Sequence, residues 1–273
     1  MATDKPFSRG KKPPYSSHGG QGRPNFRPRP KREREAGEVL WLYGLHTVEA
    51  ALKNPRRKAI RLLATRNALQ RLAERFDDGQ VPLAAEDASP MQLDKLLGSE
   101  AVHQGCALEV APLEPLTTVD LAGAKLVLAL DQVTDPHNVG AILRSACAFA
   151  VDAVLTTTRH SAAESGVLAK SASGALDIVP MSAVRNLGDT LEEMQAAGFQ
   201  IVGLDSEAPA PLDESPLRGP VCLVLGAEGK GLRQRTRDIC DVLARLDMPG
   251  EIKSLNVSNA AVLSLYVVRK AID

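Results

Sequence analysis

No stretch of this 273-residue sequence stays apolar for anything near the roughly 20 residues that a bilayer-spanning helix requires. The longest apolar stretches, Lys125 to Leu130 and Ala260 to Val268, fall well short, so no transmembrane helix and no membrane partner are expected. Residues 1–10 lack the apolar core that follows the basic region of a secretory signal, and a cytoplasmic location is expected. Cys106, Cys147, Cys222 and Cys240 form no CxxC pair and have no histidine beside them at metal-ligand spacing, which argues against zinc, any other metal and disulfides. Each lies among apolar residues and reads as a buried small hydrophobe. Neither GxGxxG nor GxxxxGK[ST] occurs, so a nicotinamide or ATP enzyme is poorly supported, and the absence of G-x-S-x-G argues against a serine hydrolase. Net charge is also lacking, but the zero hides an asymmetry: residues 1–38 carry 10 Lys/Arg against 4 Asp/Glu, leaving a slightly acidic remainder.

Composition divides the chain. Residues 1–37, rich in Pro, Gly, Ser and Arg, cannot bury enough apolar surface to offset chain entropy, so a disordered basic tail is expected. Tyr15, Phe26 and the arginines would let it tether RNA by charge and stacking. Residues 38–111 read as a small α/β domain: Leu40 to Leu52 leads into an amphipathic helix, and Arg56-Arg57-Lys58 marks a turn. Strands are expected at Ala59–Ala64, Val81–Ala84 and Gly105–Ala111, with helices at Asn67–Phe76 and Ser89–Leu97. Residues 112–123, with two prolines and two threonines, look like a linker.

Residues 124–273 alternate buried strands with helices. Strands are expected at Lys125–Leu130, Ala153–Thr156, Ile178–Met181, Phe199–Gly203, Val221–Leu225 and Val242–Leu246. Helices are expected near Val139–Phe149, Asn186–Ala197, Leu232–Asp238 and Asn256–Ala271. This pattern implies a mostly parallel sheet covered on both faces, whose ligands bind beyond the C-terminal ends of the strands.

Three loops there carry unusual residues. After Leu130, the segment Asp131 to Arg144 contains D-P-x-N-x-G-x-x-x-R, formed by Asp135, Pro136, Asn138, Gly140 and Arg144. Gly140 allows close backbone approach. Arg144, flanked by Leu143, Ala146 and Cys147 on an apolar helix, is expected to be buried or to face the site. After Leu225 comes Gly226-Ala227-Glu228-Gly229-Lys230-Gly231, whose glycines let the backbone approach a ligand at an expected helix start. There Glu228 serves either as a helix N-terminal charge or as a functional carboxylate. The third loop runs from Leu246 to Ala261. Ser254 or Asn256 would cap the last helix, yet Ser254, Asn256, Ser258 and Asn259 together exceed what capping uses.

In this order the three motifs resemble the SpoU (TrmH-like) branch of the SPOUT RNA methyltransferases. A further segment, Ser161 to Ala175, looks like that family's loop next to the substrate. The resemblance implies a SPOUT fold with a C-terminal trefoil knot, an S-adenosylmethionine pocket formed by the knot, and a homodimer that completes the active sites. Its cofactor contacts fall on Gly226, Leu246 and Leu255, with Met248 beside them, and its functional polar set on Asn138, Arg144, Glu228, Ser254 and Asn256. One departure stands out: the family's Ile-Pro-Met is Leu246-Asp247-Met248 here, so the rigid φ of proline is lost at Asp247.

The small domain resembles, through Tyr43-Gly44-Leu45-His46 to Leu52, the ribosomal-protein L30e-like RNA-binding domain of ribosomal members, where His46 and Glu49 are structural or touch RNA. The implied substrate is structured RNA, with a guanosine of large-subunit (23S) ribosomal RNA ahead of tRNA. A catalytically silent RNA-binding protein of the same fold is the reading from another class. For the chemistry, a neutral guanidine costs roughly 7–9 kcal/mol at pH 7. Arg144 is therefore expected to fix a phosphate and stabilise a developing alkoxide rather than act as a base, with Glu228 holding its loop or neutralising that arginine.

Overall fold

The computed structural model describes residues 39–114, 116 and 121–273. The expected basic tail, with Tyr15 and Phe26, lies outside the described residues.

The small domain opens with β1 (Leu40–Tyr43) and α1 (Leu45–Lys53), followed by β2 (Ala59–Ala64) and α2 (Arg66–Ala73). Then come β3 (Ala85–Asp87), α3 (Pro90–Leu97) and β4 (Cys106–Val110). Its sheet has the order β1-β4-β2-β3, antiparallel except for the β2–β3 pair. Local chemistry sets the helix starts: Thr65 Oγ1 accepts from Ala68 N, and Ser89 and Gln92 form a reciprocal capping box beside Pro90. Two expectations need correction. Residues 40–43 form a strand of their own before the helix. The strand expected at Val81–Ala84 lies instead at Ala85–Asp87, because Pro82 has no N–H to give a ladder.

The large domain contains β5 (Leu126–Asp131), α4 (Pro136–Ala148), β6 (Ala153–Thr157) and α5 (Gly166–Ala172). It continues through β7 (Met181–Val184), α6 (Leu187–Ala196), β8 (Gln200–Leu204) and β9 (Ala210–Pro211). It ends with β10 (Val221–Gly226), α7 (Gln234–Ile239), β11 (Val242–Arg245) and α8 (Val257–Ile272). Seven strands lie in the order β7-β6-β5-β10-β8-β11-β9, and every pairing is parallel.

The two-residue period of β5 fills both layers. Leu126, Leu128 and Leu130 join the core that holds Ile142 and Leu143 of α4 and Leu265 of α8, whereas Val127 and Ala129 join Leu191 and Met194 of α6. The strand expected at Ile178–Met181 is displaced to Met181–Val184, since residues 175–177 form a 3-10 turn and Ile178 is exposed. The segment Ser161–Ala175 is not a loop throughout: α5 occupies its middle.

Helix α5 packs between α4 and the small domain. A Cβ at Gly140 would lie 2.5 Å from Ser171 Cβ and 2.6 Å from the Leu168 carbonyl, so only glycine permits this approach of α4. On the other side of α5, Thr47 Oγ1 of α1 donates to the Ala169 carbonyl at 3.3 Å.

Candidate active site

At the C-terminal end of β5 the wholly buried Asp131 cannot remain uncompensated. Its Oδ2 accepts from Arg233 N at 3.1 Å and Thr236 Oγ1 at 2.8 Å, and its Oδ1 meets Arg233 Nε at 2.7 Å. This carboxylate fastens the segment entering α7 to the end of β5. Four residues on, Asp135 caps α4 by accepting from the backbone N–H of His137 at 2.7 Å and of Asn138 at 3.3 Å. Asn138 is thereby fixed in the first turn, half-buried.

The third loop meets the first through one amide. Asn256, not Ser254, caps α8: its Oδ1 accepts from Ser258 N at 2.9 Å and Ser258 Oγ at 2.6 Å. Its Nδ2 donates to Asn138 Oδ1 at 3.0 Å. The same loop is drawn in by Lys253 Nζ, which donates to the Met248 carbonyl at 2.7 Å. Asp247 takes an ion pair of 2.9 Å with Arg245, whose Nη1 also donates to the Ala208 and Pro209 carbonyls.

The second loop closes on itself. Gly231 N donates to the Ala227 carbonyl at 2.8 Å, and a Cβ at Gly226 would stand 2.2 Å from the Gly231 carbonyl carbon. The helix expected from Leu232 begins only at Gln234, so Glu228 is an exposed turn residue rather than a helix N-terminal charge.

Two clefts flank this turn. One, of about 280 Å³, is lined by Gly226, Leu246, Met248, Ser254 and Leu255, together with Asp205, Lys253 and others. The second, of about 410 Å³, is lined by Gln132, Thr134, Asp135, Asn138, His160 and Lys230. Ala227, Glu228 and Val257 border both. The four residues expected to hold a cofactor thus share one cleft, Asn138 faces the other, and Asn256 supports Asn138 from behind.

Arg144 lines neither cleft and is exposed, so of the two expected positions burial is overturned. The buried stripe of α4 runs through Val139, Ile142, Leu143 and Ala146, and Arg144 falls about 100° beyond Leu143, outside it. Among the described residues Glu228 forms no ion pair, so the expected neutralisation of Arg144 does not occur within the chain.

His160, held at φ 60°, and Gln132, at φ 65°, are cleft residues the motifs did not single out. A histidine between an apolar strand and the segment from Ser161 was the only signal for the first. Burial pushes the thiol of Cys106 up to about 11 and that of Cys240 up to about 12, so neither is a ready nucleophile. Cys106 and Cys222 are fully buried, Cys147 and Cys240 half-buried.

The arrangement has known counterparts. Residues 125–266 match the SpoU rRNA Methylase family, and residues 41–116 match the family of RNA 2′-O ribose methyltransferase substrate-binding domains. Over 239 residues the chain is 42% identical to the 23S rRNA (guanosine-2′-O-)-methyltransferase RlmB of Pseudomonas aeruginosa, covering 83% of this chain and 94% of that protein. With the protein of the same name from Xanthomonas axonopodis pv. citri it shares 40% identity over 226 residues, 80% of this chain and 85% of the other. A solved structure described as a putative TrmH-family RNA methyltransferase of Porphyromonas gingivalis superposes with a TM-score of 0.67 at 26% identity, covering 85% of this chain and 90% of that one. The SpoU methyltransferase AviRb of Streptomyces viridochromogenes, solved with AdoMet, has the same fold at a TM-score of 0.69 and 24% identity, over 85% of this chain and 89% of its own. By its matched domain, its relatives over most of its length, and three loops meeting around two clefts, the chain belongs to the SpoU rRNA methylase family.

Proposed function

We propose that this protein transfers a methyl group from S-adenosylmethionine to the ribose 2′-hydroxyl of a guanosine in 23S rRNA, as a homodimer in the cytoplasm. The observation that carries this reading is the Asn256–Asn138 hydrogen bond, which ties the cofactor-side loop to the neighbouring cleft.

The cleft at Gly226 fits the cofactor chemically: Leu246, Met248 and Leu255 offer apolar surface to a purine, beside backbone groups and the Glu228 carboxylate. When bound, S-adenosylmethionine supplies an electrophilic methyl group on a sulfonium whose sulfur departs neutral. The chain supplies positioning and electrostatics. Asn138 has its Oδ1 occupied by Asn256, which leaves its Nδ2 hydrogens as donors for a ribose oxygen in the second cleft. Glu228 borders both clefts, and Ser254 lines the one proposed for the cofactor. Exposed Arg144 is available to an RNA phosphate or to a second protomer's site, and there it acts as a planar cation rather than a base.

Homodimerisation is supported by the exposed apolar residues Leu263 and Tyr266 along α8. The trefoil knot is supported by β10 lying between β5 and β8 and by residues 246–256 running back past the Gly226–Gly231 turn. A division into a first domain near 38–111 and a second at 124–273 is supported by the matched spans 41–116 and 125–266, the first of which extends into the proposed linker 112–123. The L30e-like character of the first domain rests on the Tyr43 to Leu52 resemblance. The test is labelled methyl transfer to purified 23S rRNA and to tRNA. Label is expected on a 23S guanosine and not on tRNA, and Arg144→Lys should bind cofactor normally yet lose most of the turnover. Label on tRNA alone overturns the substrate, failure to bind S-adenosylmethionine the reaction, and near wild-type turnover of Arg144→Lys the role given to its planar fork.

A further inference from the structure

The most deeply buried cation of the small domain lies outside the three loop motifs. Arg57 follows α1, and its side chain is 0% exposed between Asp177, also 0%, and Glu164, 9%. Its Nε donates to Asp177 Oδ1 at 2.8 Å and its Nη2 to Asp177 Oδ2 at 3.1 Å, a two-pronged contact that only a guanidinium makes. Its Nη1 donates to Glu164 Oε1 at 2.5 Å and to the Ala111 carbonyl at 3.3 Å. The remaining capacity is met locally: Asn54 Nδ2 donates to Asp177 Oδ1 at 2.9 Å, and Leu113 N donates to Glu164 Oε2 at 2.8 Å. One cation therefore gathers the small domain, the chain leaving β4, the turn 175–177 and the segment between β6 and α5.

That last segment, residues 158–165, reaches the second cleft through one residue, His160. Its start is fixed by Thr158 N donating to the Val184 carbonyl at 2.9 Å and by the contact of Thr157 Oγ1 with the Arg159 carbonyl. Its end is fixed by Ser165, which caps α5, and by Glu164 on Arg57. His160, between these anchors, lines the cleft in a left-handed backbone conformation that is uncommon among non-glycine residues. A buried charge network with its hydrogen-bonding capacity met has one low-energy arrangement, so it transmits position instead of yielding to strain.

We infer that Arg57 is a positioning residue for methyl transfer: from the small domain it fixes residues 158–165, and through them His160, against the cleft proposed to take the target nucleotide. Docking of the small domain and shaping of the nucleotide cleft are then one event. This rests on the rRNA methylation reading above.

The test uses the full chain with Glu164→Gln, which keeps the size and loses the charge, and with Arg57→Lys, which keeps the charge but cannot span both carboxylates. Arg61→Ala, which removes the exposed pair with Glu86 at 2.7 Å, is the control. Hydrogen exchange of residues 158–165 is followed alongside S-adenosylmethionine affinity and the kcat and KM for 23S rRNA. Exchange in 158–165 should rise in both clamp variants and not in the control. The kcat should fall about tenfold or more, with RNA KM and cofactor affinity within about threefold of wild type, as expected for a misplaced reactant. Unchanged exchange in a folded Glu164→Gln variant overturns the clamp, and so does a loss confined to KM or to cofactor affinity. Exchange needs no turnover, so a wild-type protein inactive on rRNA would overturn the substrate assignment and leave this arm readable.

Discussion

The two clefts on either side of Ala227 and Glu228 are built by opposite means. The cleft proposed for the cofactor is a matter of chain path: a strand ending in Gly226, a turn closed by Gly231 on Ala227, and a returning loop that contributes Leu246, Met248 and Leu255. The other is a matter of side-chain heads, with Gln132, Thr134, Asn138 and His160 set around a void. A site made of backbone contour should fail abruptly when the contour is filled. A site made of side chains should fail by degrees.

The largest effect is therefore expected at Gly226. Gly226→Ala places a methyl group against the Gly231 backbone, and S-adenosylmethionine affinity by calorimetry should drop roughly 100-fold, about 2.7 kcal/mol, with RNA affinity retained. Near-normal cofactor affinity would break the contrast. Next comes Asn256, which lines neither cleft but joins the loop beside one to Asn138 of the other. Asn256→Ala should cost about 1 kcal/mol in denaturant unfolding through the lost cap, and about tenfold or more in kcat. Asn256→Asp sharpens the point, because a carboxylate still accepts from Ser258 but has no donor for Asn138. Stability should return and turnover should not.

His160→Ala should lower kcat by about tenfold, as the clamp variants do, raise the KM for RNA by no more than about threefold, equivalent to one lost polar contact, and leave cofactor affinity unchanged. A change in cofactor affinity as large as that in KM would show that the clefts are not separate. The smallest effect lies outside both, at Glu49. Burial alone would raise its carboxyl, but hydrogen bonds and charge from Lys53 and Arg75 outweigh burial and hold it below its ordinary 4.5. A lowered value in the folded state means that this stabilisation is present above the unfolded value and lost as pH falls through the folded one. Glu49→Gln should cost up to about 1 kcal/mol at pH 7, and the gap should close in acid unfolding titrations.

Legibility in the sequence followed the same division. Apolar strands and glycine spacing are local signals, so the parallel sheet and the Gly226 turn could be read directly, whereas Leu246, Met248 and Leu255 were singled out only through the family resemblance. Ser254 and Asn256 advertised surplus polar capacity, but nothing in their spacing revealed that Asn256 bonds Asn138, 118 residues away. The burial expected of Arg144 failed because its neighbours are apolar while its helical phase points outward. Arg57 looked like one charge in a basic turn. Its burial depends on Glu164 and Asp177, 107 and 120 residues further along, and no local pattern encodes such partners.

The most direct measurement is a map of 2′-O-methyl groups in total RNA from cells with and without this protein. The account predicts that a single guanosine of 23S rRNA loses its methyl group on deletion and regains it when the wild-type chain, but not Asn256→Asp, is restored. An unchanged 23S map, or a loss confined to tRNA, would contradict it.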